Sequence, residues 1–132
     1  MAETFYGPWR IVLLHANSHF AQQMVIEDSD NADGGYDIAF GEALDVSVAG
    51  AEWRLRTEFF PFGGPAWLEG DMRAMSRFEP GAGLLVQIDG ASRPPGSGAT
   101  FTNLRLLCSC LDPETNPIPA PNPFDFTIPE NG

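Results

Sequence analysis

Only two histidines stand in this chain, His15 and His19, and only two cysteines, Cys108 and Cys110. On one strand the i, i+4 spacing brings both imidazoles to the same face, and with the two thiols they would make a tetrahedral zinc set. The residues between the histidines, Ala16-Asn17-Ser18, read equally as a turn, and the cysteine gap is tighter than the roughly two to four residues usual at zinc. Small buried thiols are therefore expected. On a strand their Cα atoms lie about 6.6 Å apart, near the upper limit for a bridge, so free cysteines are predicted rather than a disulfide. Nothing reads as a Gly-x-Ser-x-Gly elbow, a nucleophile beside a base or a phosphate-cradling glycine loop. A non-catalytic protein is the expectation.

The segment EDSDNADGGYD gathers Glu27, Asp28, Asp30, Asn31, Asp33 and Asp37, with Gly34 and Gly35 for a tight turn. That density of hard oxygens suits calcium, the one cofactor the sequence suggests. No EF-hand register fits, because Ala32 or a missing bidentate Glu interrupts each, and Phe40 occupies the Glu position of a loop begun at Ser29. The same composition also serves an ordinary solvated turn. The loop resembles the acid-rich calcium loop of bacterial fucose-binding lectins, whose C-terminal glycine carboxylate also helps to hold metal. The resemblance covers this loop and Gly132 but places the loop elsewhere in the chain, so no family is assigned from it.

Sugar binding needs an aromatic face flanked by polar groups. Trp67, just after the turn FGGPA, is the leading candidate, and Tyr36 could join it. Arg93 lies in the loop DGASRPPGSGA, which reads either as a binding loop or as a plain linker. Trp9 and Trp53 each open an alternating run and are expected in the core.

These residues need a scaffold, and the apolar pattern is mostly period two. Eight strand-like segments follow one another: Trp9 to Ala16, Phe20 to Asp28, Tyr36 to Phe40, Leu44 to Val48, Trp53 to Phe59, a segment within Trp67 to Phe78, Leu84 to Ile88, and Thr102 to Cys108. Ala49-Gly50 looks like a hairpin turn joining the fourth to the fifth. The segment Trp67 to Phe78 fits a helical stripe of Leu68, Met72 and Met75 as well as a strand. Gly70 weakens the helix, so a strand is predicted. The expected fold is an all-β, antiparallel β-sandwich of jelly-roll or Greek-key type, in one domain over residues 1–112.

Residues 113–132 carry six prolines, which exclude a central strand or a helix and predict an extended arm. Within it Phe124, Phe126 and Ile128 alternate with Asp125 and Thr127, a short apolar face that wants a surface on its own subunit or a neighbour's.

The 132 residues carry a net charge of −11, with seven arginines and no lysine, which argues against nucleic acid and anionic membranes. Eight acids and no base lie between Ile11 and Trp53, whereas Arg54, Arg56, Arg73 and Arg77 follow together. No apolar run approaches the ~20 residues of a membrane span, and the N-terminus lacks the pattern of a secretory signal, so a cytoplasmic protein is predicted. Two functions follow. The first is a structural or assembly subunit, self-associating or part of a larger complex through its sandwich surface and the arm. The alternative is a ligand-binding module, lectin-like or carbohydrate-binding, with calcium at the acidic loop.

Overall fold

A computed structural model describes residues 2–39, 43–80, 83–96 and 100–112. Among them are ten strands: β1 (Glu3–Phe5), β2 (Trp9–Ala16), β3 (Ala21–Glu27), β4 (Gly34–Ile38), β5 (Asp45–Val48), β6 (Trp53–Phe60), β7 (Leu68–Glu69), β8 (Asp71–Glu79), β9 (Gly83–Ala91) and β10 (Leu104–Cys110). They form two antiparallel sheets facing each other as a sandwich. One runs β1-β6-β3-β4 with β7 added to β6, and the other runs β5-β2-β10-β9-β8. No helix occurs among the described residues, and so none is long and apolar enough to cross a membrane. The C-terminal arm, with Phe124, Phe126 and Ile128, lies outside the described residues.

Alternation decides which side chains enter the core. On β6, Trp53, Leu55, Thr57 and Phe59 are buried and their neighbours are not. On β10, Leu104, Leu106, Cys108 and Cys110 are buried in the same way. Trp9 and Trp53 are both fully buried, as expected, and close one end of the sandwich around Phe5. Phe5 stacks on Trp53 at 4.7 Å and meets Trp9 edge-on at 4.9 Å. Both indoles keep their hydrogen bonds: Trp9 Nε1 donates to the Tyr6 carbonyl and Trp53 Nε1 to that of Gly7. A buried indole N–H left unpaired would cost about 1–3 kcal/mol, so the turn after β1 is part of the core's design.

Residues 71–79 form the predicted strand, preceded by the two-residue β7. Between them the chain leaves one sheet for the other at Gly70. A Cβ there would meet the Ala91 carbonyl at 3.0 Å and Thr57 Oγ1 at 3.2 Å, so a crossover this tight needs glycine.

The expected hairpin at Ala49-Gly50 is corrected. β5 pairs with β2 and β6 pairs with β3, in opposite sheets. The backbone at this turn bonds to other segments instead of closing a ladder. Ala49 accepts from the Asp30 amide, Gly50 accepts from the Gly7 amide, and Ala49 N donates to Asn31 Oδ1. Gly50, at φ 154°, makes the step between sheets.

Candidate functional site

The sandwich has two ends, and they differ. The acidic loop lies at the tryptophan end, tied to the step at Ala49. Asn31 clamps it there, donating from Nδ2 to the Ser47 carbonyl while Oδ1 accepts from Ala49 N. Asp33 accepts from both the amide and the hydroxyl of Ser29, which holds its carboxyl below the ordinary range. Asp28, in the left-handed region at φ 67°, pairs with Arg54 at 2.6 Å, and Glu27 pairs with Arg56 from the adjacent strand. Asp30 and Asp37 are exposed. The carboxylates therefore diverge, and among the described residues no three His, Cys, Asp or Glu side chains converge on a common point.

Tyr36 packs on the core from β4 and donates its hydroxyl to the Ala32 carbonyl at 2.6 Å. It stands two strands away from β6 and does not meet Trp67.

The zinc set is also pulled apart. Strands β2 and β10 do adjoin, but antiparallel pairing sets Cys108 opposite Ile11 and Cys110 opposite Trp9, while His15 lies opposite Arg105. Four residues separate His15 from Ile11, which is about 13 Å along a strand. Both cysteines are buried and neither is in a disulfide, and both histidines are exposed. Burial pushes the Cys108 thiol far up, with the charge of Glu3 adding to it.

The opposite end is open. A cleft of about 530 Å³ lies between the turn before β3, the end of β6 and the loop after β9. That volume falls within the range of roughly 300–1,000 Å³ typical of small-ligand sites. Phe59 forms apolar floor, with Phe20 over it at 5.8 Å between centroids, and the exposed Phe62 meets Phe20 edge-on at 5.0 Å. Pro61, Leu68 and Pro94 complete the apolar lining, and Ser18, His19, Ser92, Arg93 and Asn103 supply polar groups. A neighbouring hollow of about 260 Å³ shares Ser18, His19 and Phe20. By contrast, the hollow between Met75, Leu85 and Leu107 on the outer face of β8-β9-β10 holds about 100 Å³, too little for a sugar ring.

The polar side of the cleft is rigid. Ser18 and Ser92 hydroxyls lie 2.7 Å apart, and Ser92 Oγ donates to Gln22 Oε1. Gln22 Nε2 donates to the Asn103 carbonyl, and Asn103 Oδ1 accepts from Ser92 N while its Nδ2 donates to the Asn17 carbonyl. Three chain segments are thus locked together before any ligand arrives. Asp71, buried at the start of β8, extends the lock: its amide donates to the Arg93 carbonyl and its carboxylate accepts from Gly96 N.

Of the residues singled out from sequence, Arg93 belongs to this cleft, and so does His19, a candidate zinc ligand in that reading. Trp67 is not among the cleft's lining residues; it is half-buried, with its ring edge-on to Phe60 at 5.5 Å on the other face of β6. Phe20, Phe59 and Asn103 were not among the residues singled out. The aromatic run Phe59-Phe60-Pro61-Phe62 ahead of two glycines was the available signal.

The same sandwich occurs in solved proteins. A lectin from Chromobacterium violaceum, solved in complex with alpha-methyl-fucoside, superposes with a TM-score of 0.54 at 12% identity, over 82% of this chain and 95% of that one. The C-terminal domain of a Burkholderia cenocepacia lectin gives 0.54 at 11% identity, over 83% and 96%. The fold is shared with lectin domains. No family model matches the chain, and neither does any curated protein.

Proposed function

We propose that this protein is a non-catalytic carbohydrate-binding module whose sugar site is the cleft around Phe20, Phe59, His19, Arg93 and Asn103. One observation carries the reading: aromatic rings and fixed polar groups converge on one concave site of the right volume. Sugars present an apolar face of C–H groups and a rim of hydroxyls, which such a site matches. The lectin neighbours favour this reading over a purely structural subunit.

A glycan panel titrated against the protein tests it, with Phe20→Ala as the variant that removes the stacking ring. Binding that survives Phe20→Ala unchanged, or no binding to any glycan, would refute the site. Running the panel with calcium and with a chelator reads out whether Glu27, Asp28, Asp30, Asn31, Asp33 and Asp37 take part through a metal.

Self-association is the second reading, favoured by a row of half-buried apolar side chains on the outer face of the second sheet. Val12 on β2 lies opposite Leu107 on β10, and Met75 on β8 follows beyond Gln87 of β9, with the buried Leu85 two residues along β9. A second copy related by a two-fold axis would lay this row against itself. Light scattering on the protein and on Leu107→Glu tests it, because a charge in the row would disperse the dimer.

A further inference from the structure

We infer that the cleft recognises an acidic sugar, with the guanidinium of Arg93 receiving an oxyanion carried on the ring. The inference rests on the carbohydrate reading and deepens it. Six of the seven arginines form ion pairs with carboxylates of this chain: Arg10 with Asp45, Arg54 with Asp28, Arg56 with Glu27 and Glu58, Arg73 and Arg105 with Asp89, and Arg77 with Glu79. Arg93 forms none among the described residues. In a chain with 18 acids and seven arginines, an arginine without a carboxylate partner is unusual.

The surroundings sharpen the point. Among the described residues, the lining of the cleft contains no Asp or Glu, although acids abound elsewhere. The nearby Asp71 carboxylate is 6% exposed and turned to Gly96 N. Arg93 is also held by its backbone. Its carbonyl accepts from Asp71 N at 2.7 Å, the preceding Ser92 is fixed by Asn103, and Pro94 and Pro95 follow, which narrow the backbone freedom of the loop. The side chain is exposed at the mouth of the cleft. A planar fork presented from a fixed loop, beside an aromatic floor, suits the oxyanion of a uronate or a sulfated sugar, both of which accept two parallel hydrogen bonds. The net charge of −11 opposes anions at long range. At physiological ionic strength, however, screening acts over about 8 Å, so the local pair decides binding.

Calorimetric titration of oligogalacturonate, its methyl ester, a sulfated galactan and the neutral galactan tests the inference on the wild type, Arg93→Gln and Phe20→Ala. The expected result is that an acidic ligand binds at least about ten-fold more tightly than its neutral counterpart, and that Arg93→Gln weakens the acidic ligand far more than the neutral one, so that the preference is lost. Which acid binds identifies the oxyanion. Neutral binding that is lost in Phe20→Ala, with no preference for either acid, overturns the inference and leaves the carbohydrate site standing. An acid preference that persists in Arg93→Gln overturns it as well. Binding of no glycan at all removes both.

Discussion

Thr57 should be better replaced by valine. Its Oγ1 is buried without a hydrogen-bond partner among the described residues, on the core face of β6 between Leu55 and Phe59. A Cβ built on Gly70 would lie only 3.2 Å from it, so the hydroxyl fills space that glycine leaves open, yet nothing there bonds to it. A buried hydroxyl without a partner costs about 1–3 kcal/mol, and a methyl in its place adds roughly 0.8 kcal/mol of transfer free energy. Some of that gain is lost because a methyl is bulkier than a hydroxyl in a packed core. The expected net gain for Thr57→Val is about 1–2 kcal/mol. For a chain of this size the entropy of unfolding makes each kcal/mol worth roughly 4 °C, so the melting temperature should rise by about 4–8 °C. Calorimetry at neutral pH measures it. Thr57→Ser, which keeps the hydroxyl and removes the methyl, should instead lose about 1 kcal/mol. A valine variant that melts below wild type would show that the hydroxyl is bonded, and the reasoning would be wrong.

Asn31→Ala removes both hydrogen bonds that clamp the acidic loop to the Ser47–Ala49 backbone and should cost about 1–2 kcal/mol in urea unfolding; a variant as stable as wild type would mean the clamp is ornamental. Thiol reagents should label Cys108 and Cys110 slowly in the native protein and quickly in denaturant, because both are buried and burial holds Cys108 in its protonated form. Arg10 at Asp45, and the Ser29 donors at Asp33, hold those carboxyls below their ordinary value of 3.8. A folded-state value below the unfolded one gives stability that is present above pH 3.8 and lost as pH falls through the depressed values. The acid limb of melting temperature against pH should therefore be shallower in the double variant Asp33→Asn, Asp45→Asn, and an unchanged limb would contradict this. Asp89, 1% exposed beneath Arg73 and Arg105, should cost about 1–2 kcal/mol when replaced by alanine, discounted because both guanidinium groups are half-exposed; a loss under a few tenths, read from urea midpoints, would refute the pairing.

The sequence alone determined the class of fold and the inward face of most strands. Period-two alternation is a local property, set by the pleat, so Trp53-Leu55-Thr57-Phe59 and Leu104-Leu106-Cys108 could be read directly, and Gly70 told against a helix over residues 67–78. It could not assign strands to sheets. Val46 and Val48 and then Trp53 and Leu55 bury into one core from opposite sides, and a sandwich core accepts inward side chains from either sheet equally well, so a turn at Ala49-Gly50 looks the same whether it closes a hairpin or crosses between sheets. The acidic loop drew attention because its residues are neighbours in sequence. Three of their carboxylates, those of Glu27, Asp28 and Asp33, are spent on Arg56, Arg54 and Ser29, partners that only strand pairing or loop closure reveals. The cleft shows the converse. Ser18, Phe20, Phe59, Arg93 and Asn103 come from four separate segments, each unremarkable alone, and only the packing of one sheet's end against the other brings their aromatic, polar and cationic groups to one place.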